Sequence, residues 1–211
     1  MILETLTVGP FQENCYVIGD GEVGAVVDPG DEATRIALTV ERTGLEIGQI
    51  LVTHAHIDHV GAVAALADEY ACPVLMHAEA EPMLEQLPAQ AIMMGLRFGK
   101  VPTVDRQVQG GEMLEVGGLR LEALYTPGHA PGHLAFYVES EGLVLSGDAL
   151  FAGSVGRTDL FGGDMEVLMR SINERFLTLP DETRVYPGHG PQTTIGEERA
   201  YNPFLRGAPF E

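Results

Sequence analysis

The chain has 211 residues, 45% of them hydrophobic, which is enough for one substantial core and favours a single domain over residues 1–211. A formal net charge of −19 repels phosphate backbones and anionic lipid, so nucleic acid is not an expected partner. No apolar run is long enough to span a bilayer, and the N-terminus MILETLTVGPFQENCYVI lacks a basic segment followed by an apolar one. A cytoplasmic protein with no membrane partner is expected.

The first fifty residues read as strands between glycine turns: LETLTVG, NCYVIGDG and VGAVVDPG. DEATRIALTVERTG follows as a helix with an acidic start and a glycine at its end. Next comes a strand, IGQILV, then the run THAHIDHVGA, a helix expected over 60–70, and the strand PVLM. Residues 78–100 are Met-rich and interrupted by Pro82 and Pro88, so they are expected to be helical in pieces. Met93, Met94, Leu96 and Phe98 could wall a substrate groove, or the segment could pack on an outer sheet. Residues 112–151 read mostly as strand. A helix over DMEVLMRSINERFLTL, a last strand TRVY and a short tail ERAYNPFLRGAPFE complete the chain. Strands first, with a helix after each half, fit two sheets covered by helices on the outside. Cys15 and Cys72 are most simply small core residues.

Histidine is scarce, with seven in the chain, yet His54, His56 and His59 fall with Asp58 in six positions. His54 and His56 alternate and can point the same way from an extended loop. Asp58 and His59 fall where a helix begins, and a helix N-terminus favours a charged Asp58 and a neutral His59. Those are the forms that ligate metal. His129, Asp148, His189 and Asp28 each follow the carboxyl end of an apolar strand and adjoin or lie close to glycine, and such loops converge in space. Taken singly, a histidine after a strand is usually a turn or surface group. Five histidines and two aspartates at strand ends are hard to explain that way, because burying so many polar groups without compensation is costly. Two ions use the set economically. One would take His54, His56 and His129; the other Asp58, His59 and His189; Asp148 would bridge. Nitrogen and oxygen ligands suit zinc first, and also iron or manganese.

HxHxDH, standing here as His54-Ala-His56-Ile-Asp58-His59, resembles the signature of the metallo-β-lactamase superfamily. VVDPG, TPGHAPGH, SGDALF and PGHG follow in the family's order. The resemblance implies an α/β, four-layer αββα sandwich with the metal ligands given above along one edge. It also implies that Asp28 braces the metal loop and that His133 is a structural histidine. NCYVI, the GHxxGH variant and GSVGRTDLFGGD are similar to the glyoxalase II-like, or hydroxyacylglutathione hydrolase-like, branch. That branch implies a small-molecule thioester such as S-lactoylglutathione, cleaved by hydroxide between two divalent ions, with Asp58 and Asp148 catalytic. Arg157 stands where the branch has a substrate-contacting lysine. The extra C-terminal helical domain of glyoxalase II, which contacts glutathione, is not expected within the 211 residues. GRTD also resembles the persulfide dioxygenases, which use one iron, so that activity is the alternative, together with hydrolysis of another ester or a lactone. The acyl group, the thiol and the oligomeric state are not readable from the sequence.

Overall fold

The computed structural model describes residues 1–96 and 98–206. In chain order the elements are β1 (Ile2–Val8), β2 (Glu13–Gly19), β3 (Val23–Val27), α1 (Ala33–Thr43), β4 (Glu46–Leu51), α2 (Ile57–Val60), α3 (Val63–Tyr70), β5 (Val74–Met76), α4 (Glu81–Leu84) and α5 (Leu87–Met93). They continue with β6 (Arg106–Gln107), β7 (Met113–Val116), β8 (Leu119–Tyr125), β9 (Leu134–Val138), β10 (Leu143–Gly147), β11 (Leu150–Phe151), β12 (Ser154–Val155), α6 (Met165–Ser171), β13 (Arg184–Pro187), β14 (Thr193–Thr194) and α7 (Ile195–Tyr201).

One sheet has the order β1-β2-β3-β4-β5-β6, the other β14-β13-β10-β9-β8-β7. Successive side chains in a strand point to opposite faces, and the buried residues sort accordingly. Val17, Val26, Ile50 and Met76 face a cluster that includes Ile36 and Val40 of α1 and Val63 and Leu66 of α3. Their neighbours Ile18, Val27, Leu51 and Leu75 face the second sheet, where they meet Leu121, Leu134, Phe136 and Leu145. On the far side Ala135, Tyr137, Val144 and Val185 pack on Leu168, Ile172, Phe176 and Ile195. Three apolar seams therefore separate four layers, α-β-β-α, as the sequence led us to expect. Cys15 and Cys72 are buried and free. Among the described residues no helix is long and apolar enough to cross a membrane.

Local departures from the sequence expectations have identifiable causes. The helix expected over 60–70 is two pieces, α2 and α3, broken at Gly61–Ala62. Gly61 is pressed against the Gly30 carbonyl, where a Cβ would lie 2.2 Å from the oxygen, and the Ala62 N–H donates to Pro29 O at 2.9 Å instead of extending the helix. Pro82 and Pro88 start α4 and α5, in the first-turn position that a missing N–H suits. The helix over 164–179 ends in a π-helical turn, Ile172–Phe176. A further helix, α7, leads into the tail, and the Thr194 side chain at its start accepts from Glu197 N at 3.2 Å. Thr-x-x-Glu is a helix-start signal, and its apolar run was too short to stand out. Residues 207–211 of that tail, and Arg97 of the Met-rich segment, lie outside the described residues.

Asp20 ties the two sheets at their distal hairpins. Its Oδ1 accepts from Glu22 N and Val23 N at 2.8 and 2.9 Å, and its Oδ2 from Gly118 N, between β7 and β8, at 2.6 Å. These backbone N–H groups, Glu22 foremost, lower its pKa to about 2. A depressed carboxylate pKa contributes stability above the unfolded value, near 3.9, that is lost as pH falls through the folded one. Asp20→Ala is expected to lower Tm by about 2–3 °C at pH 7, and the gap to wild type should shrink by about half by pH 3. Thermal melts with the same gap at both pH values would contradict the assignment.

Candidate metal centre

The register of parallel strands places the polar groups. Val27 of β3 pairs with Leu51 of β4, so Asp28 and Thr53 emerge side by side. Gly147 of β10 pairs with Pro187 of β13, so Asp148 lies beside Gly188, and Gly188 N donates to Gly147 O at 2.9 Å. A Cβ on Gly188 would stand 2.2 Å from Asp148 Oδ1, so only glycine admits that carboxylate. The sheets are joined here by Leu134 N to Thr53 O at 2.8 Å and by Tyr16 Oη to Pro187 O at 2.6 Å.

Asp28 organises the first loop. Its Oδ1 accepts from Thr53 N at 2.7 Å, and its Oδ2 accepts from Thr53 Oγ1 at 2.6 Å and His59 Nδ1 at 2.9 Å. Because Thr53 Oγ1 donates to Asp28, it accepts from His54 Nδ1 at 2.9 Å. His129 Nδ1 donates to Arg157 O at 2.8 Å. In His54 and His129 the Nδ1 proton is thus committed outward and the Nε2 lone pair faces inward, the tautomer a metal ligand needs, and His59 is likewise tied outward through Nδ1 with its Nε2 facing inward. His133 is the reverse: Asp148 N donates to its Nε2 at 3.0 Å, so its Nδ1–H is given to Thr126 Oγ1 at 2.8 Å. His133 therefore holds the backbone of Asp148 and does not join the cluster.

Two groups of inward-facing atoms result. His56 Nδ1 lies 3.0 Å from His54 Nε2 and 2.9 Å from His129 Nε2. Beside them, Asp58, His59 and His189 form a second triad, with His189 Nε2 3.2 Å from Asp58 Oδ2. Asp148 stands between the triads: Oδ2 is 3.5 Å from His129 Nε2 and from His189 Nε2, and Oδ1 is 3.5 Å from His59 Nε2. Each triad could hold a metal ion. His59 Nε2 and Asp148 Oδ1 are buried and have no hydrogen-bond partner among the described residues, a costly arrangement that a cation relieves. Three nitrogens around a tetrahedral ion stand about 3.3 Å apart, close to the spacing of the first triad. The residues therefore fit a metal centre.

Burial holds the first triad neutral. It drives His54 well below the usual imidazole range, and burial with His129 nearby takes His56 to about 3. His129 is lowered by burial too, though Asp148 opposes it. The second triad has carboxylates in and around it: Asp58 belongs to it, and Asp28 and Asp148 flank His59. Burial acts to lower His59, but Asp148 and Asp28 outweigh it and raise His59 well above its ordinary value. A helix N-terminus does not keep His59 neutral in this chain: α2 is a single turn, and two carboxylates flank the ring. Asp58 and Asp148 are lowered against burial, chiefly by His189 for the first and His59 for the second.

A cleft of about 650 Å³ opens over both triads, lined by His56, Asp58, His129, Asp148 and His189 and by apolar side chains. Of the Met-rich segment, Met94 reaches this cleft, as do Met83 and Gln90. Leu96 and Phe98 line a smaller neighbouring cavity, and Met93 is 87% exposed. Leu87 and Ala91 of the same segment pack into the core, so α5 both covers a sheet and borders the cleft. Arg157 lies in the cleft wall, but its Nε and Nη2 are taken by Asp159, at 2.7 Å each.

The sequence does not single out one buried acid beside the metal centre. Glu13 is 1% exposed, neither of its oxygens has a hydrogen-bond partner among the described residues, and Oε1 lies 3.8 Å from His59 Nδ1. Burial raises its pKa well above the carboxylate range. An acid opening a strand whose seven residues are all buried was the available signal.

Gly30 fixes the distance between the Asp28 loop and α2, since a Cβ there would sit 1.5 Å from Asp58 O. Gly30→Ala is expected to lower Tm by about 10 °C. Gly99→Ala, where a Cβ meets nothing within 4 Å among the described residues, should change it by less than about 2 °C. Equal effects in thermal melts would show that the close approach is unimportant.

The metallo-beta-lactamase superfamily profile matches residues 8–189. Hydroxyacylglutathione hydrolase GloC of Haemophilus influenzae is 40% identical over 213 residues, spanning 97% of this chain and 98% of that protein. Among solved structures, BLEG-1 B3 metallo-beta-lactamase superposes with a TM-score of 0.91 at 38% identity, covering 98% of this chain and 100% of that one. TTHA1623 in a di-iron-bound form does so with a TM-score of 0.88 at 46% identity, covering 96% and 100%. With the fold, the strand-end cluster and these likenesses in agreement, the chain belongs to the metallo-β-lactamase superfamily.

Proposed function

We propose that this metallo-hydrolase is a dinuclear enzyme of the glyoxalase II type, cleaving a small-molecule thioester. The observation that carries the reading is the pair of adjacent triads with Asp148 between them, at the floor of a substrate-sized cleft. His54, His56, His129 and Asp148 would hold one ion; Asp58, His59, His189 and Asp148 the other. Zinc suits these nitrogen and oxygen donors, and so does iron, the metal named for TTHA1623. Two such ions supply a water of lowered pKa and a Lewis acid for the carbonyl oxygen.

The chain's own residues do the rest. Asp28, Thr53, Arg157 O and His133 fix the ring tautomers and the backbone of Asp148 before substrate arrives, so little reorganisation is needed. Asp58 and Asp148 border the cleft and are placed to accept the proton of the attacking water. The water oxygen joins the acyl carbon, the C–S bond breaks, and sulfur leaves with the electron pair. Arg157 and Asp159 would meet the substrate as a neutralised pair.

His189→Ala tests the dinuclear assignment. Bound metal should fall from about two to about one per chain, and hydrolysis of S-lactoylglutathione by orders of magnitude. Asp28→Ala should cost less, about 10–100-fold in activity or metal affinity. Wild-type protein that carries one iron, consumes oxygen with a persulfide substrate and tolerates His189→Ala would replace the hydrolase reading with a dioxygenase.

A further inference from the structure

The wall of the cleft bears on which thioester is taken. Its apolar side chains include Phe11, Met83, Met94, Phe151, Leu160 and Phe161. Several are held open to solvent: Phe161 is 72% exposed and Met94 56%. Large apolar side chains gathered around a polar floor are what an apolar ligand covers. The charged lining is different. Among the described residues that line the cleft Arg157 is the single lysine or arginine, and Asp159 occupies two of its three guanidinium nitrogens. A substrate carboxylate away from the metal floor must compete with Asp159 for that cation, inside a chain of net charge −19.

We infer that the preferred substrate is a thioester whose bulk is an uncharged, apolar chain, held among Phe11, Met83, Met94, Leu160 and Phe161. The inference rests on the thioesterase reading and adds the substrate class. The apolar chain can lie on the acyl or the thiol side of the scissile bond, and the two sides are separable by experiment.

The probes are S-acyl-N-acetylcysteamine esters from acetyl to octanoyl, and S-acetyl esters of ethanethiol to hexanethiol, with protein carrying its two metals. In one of the series kcat/KM should climb about fourfold per methylene, the factor that burying one CH2 supplies, until the cleft is filled. Phe161→Ser and Leu160→Ser, both at exposed positions, should flatten that climb. Asp159→Asn releases Arg157 and should raise kcat/KM for the succinyl ester relative to the butanoyl ester at least fivefold. Hydrolysis that is flat in both series would overturn the inference and leave the thioesterase reading standing. A climb unchanged in both serine variants, or a succinyl-to-butanoyl ratio unmoved in Asp159→Asn, would equally overturn it. No hydrolysis of any of these esters, or of S-lactoylglutathione, by two-metal protein would overturn both.

Discussion

One buried carboxylate connects the ends of two strands to the histidine cluster. Asp28 accepts three hydrogen bonds, from Thr53 N, Thr53 Oγ1 and His59 Nδ1, and each constrains a different part of the site. The first locks the turn after β4. The second makes Thr53 Oγ1 an acceptor for His54 and so decides the His54 tautomer. The third aims His59 Nε2 at Asp148. To reach all three, Asp28 adopts a left-handed backbone, φ 49°, which short polar side chains tolerate better than most. The glycines follow from the same constraint. Gly30 and Gly61 let this loop lie against α2 with no room for a Cβ on either side.

The second sheet makes the complementary contribution. His133 holds the backbone N–H of Asp148, Gly188 leaves space for its carboxylate, and Gly147 leaves space for the His133 ring. Neither sheet forms the site alone. β4 and α2 bring His54, His56, Asp58 and His59, while the loops after β8, β10 and β13 bring His129, Asp148 and His189. Cross-sheet hydrogen bonds from Tyr16 and Leu134 fix the spacing at this edge. Burial holds the imidazoles of the first triad neutral, while neighbouring histidines keep Asp58 of the second triad and Asp148 between them charged.

The layered fold and the convergence of the cluster were legible in the sequence because both rest on local patterns. Strands ending in glycine-flanked His or Asp place those groups at sheet edges, and alternation within the strands sorts the three apolar seams. What was not legible depends on close approach between distant segments. The break at Gly61 comes from the Gly30 carbonyl, thirty-one residues away. The burial of Glu13 comes from β2 lying between β1 and β3, with His59 and Gly30 above its side chain. The pairing of Arg157 with Asp159 is a loop conformation, which a spacing of two residues permits without requiring. α7 carried a readable start signal, Thr194 with Glu197, but it is only seven residues long.

The central claim is that two ions sit side by side, with Asp148 between them. Anomalous diffraction from crystals of metal-loaded protein measures this directly. The account predicts two peaks, one against His54 Nε2, His56 Nδ1 and His129 Nε2, the other among Asp58, His59 and His189, with Asp148 reaching both. A single peak confined to the first triad at full loading, or ions bound away from Asp148, would contradict it.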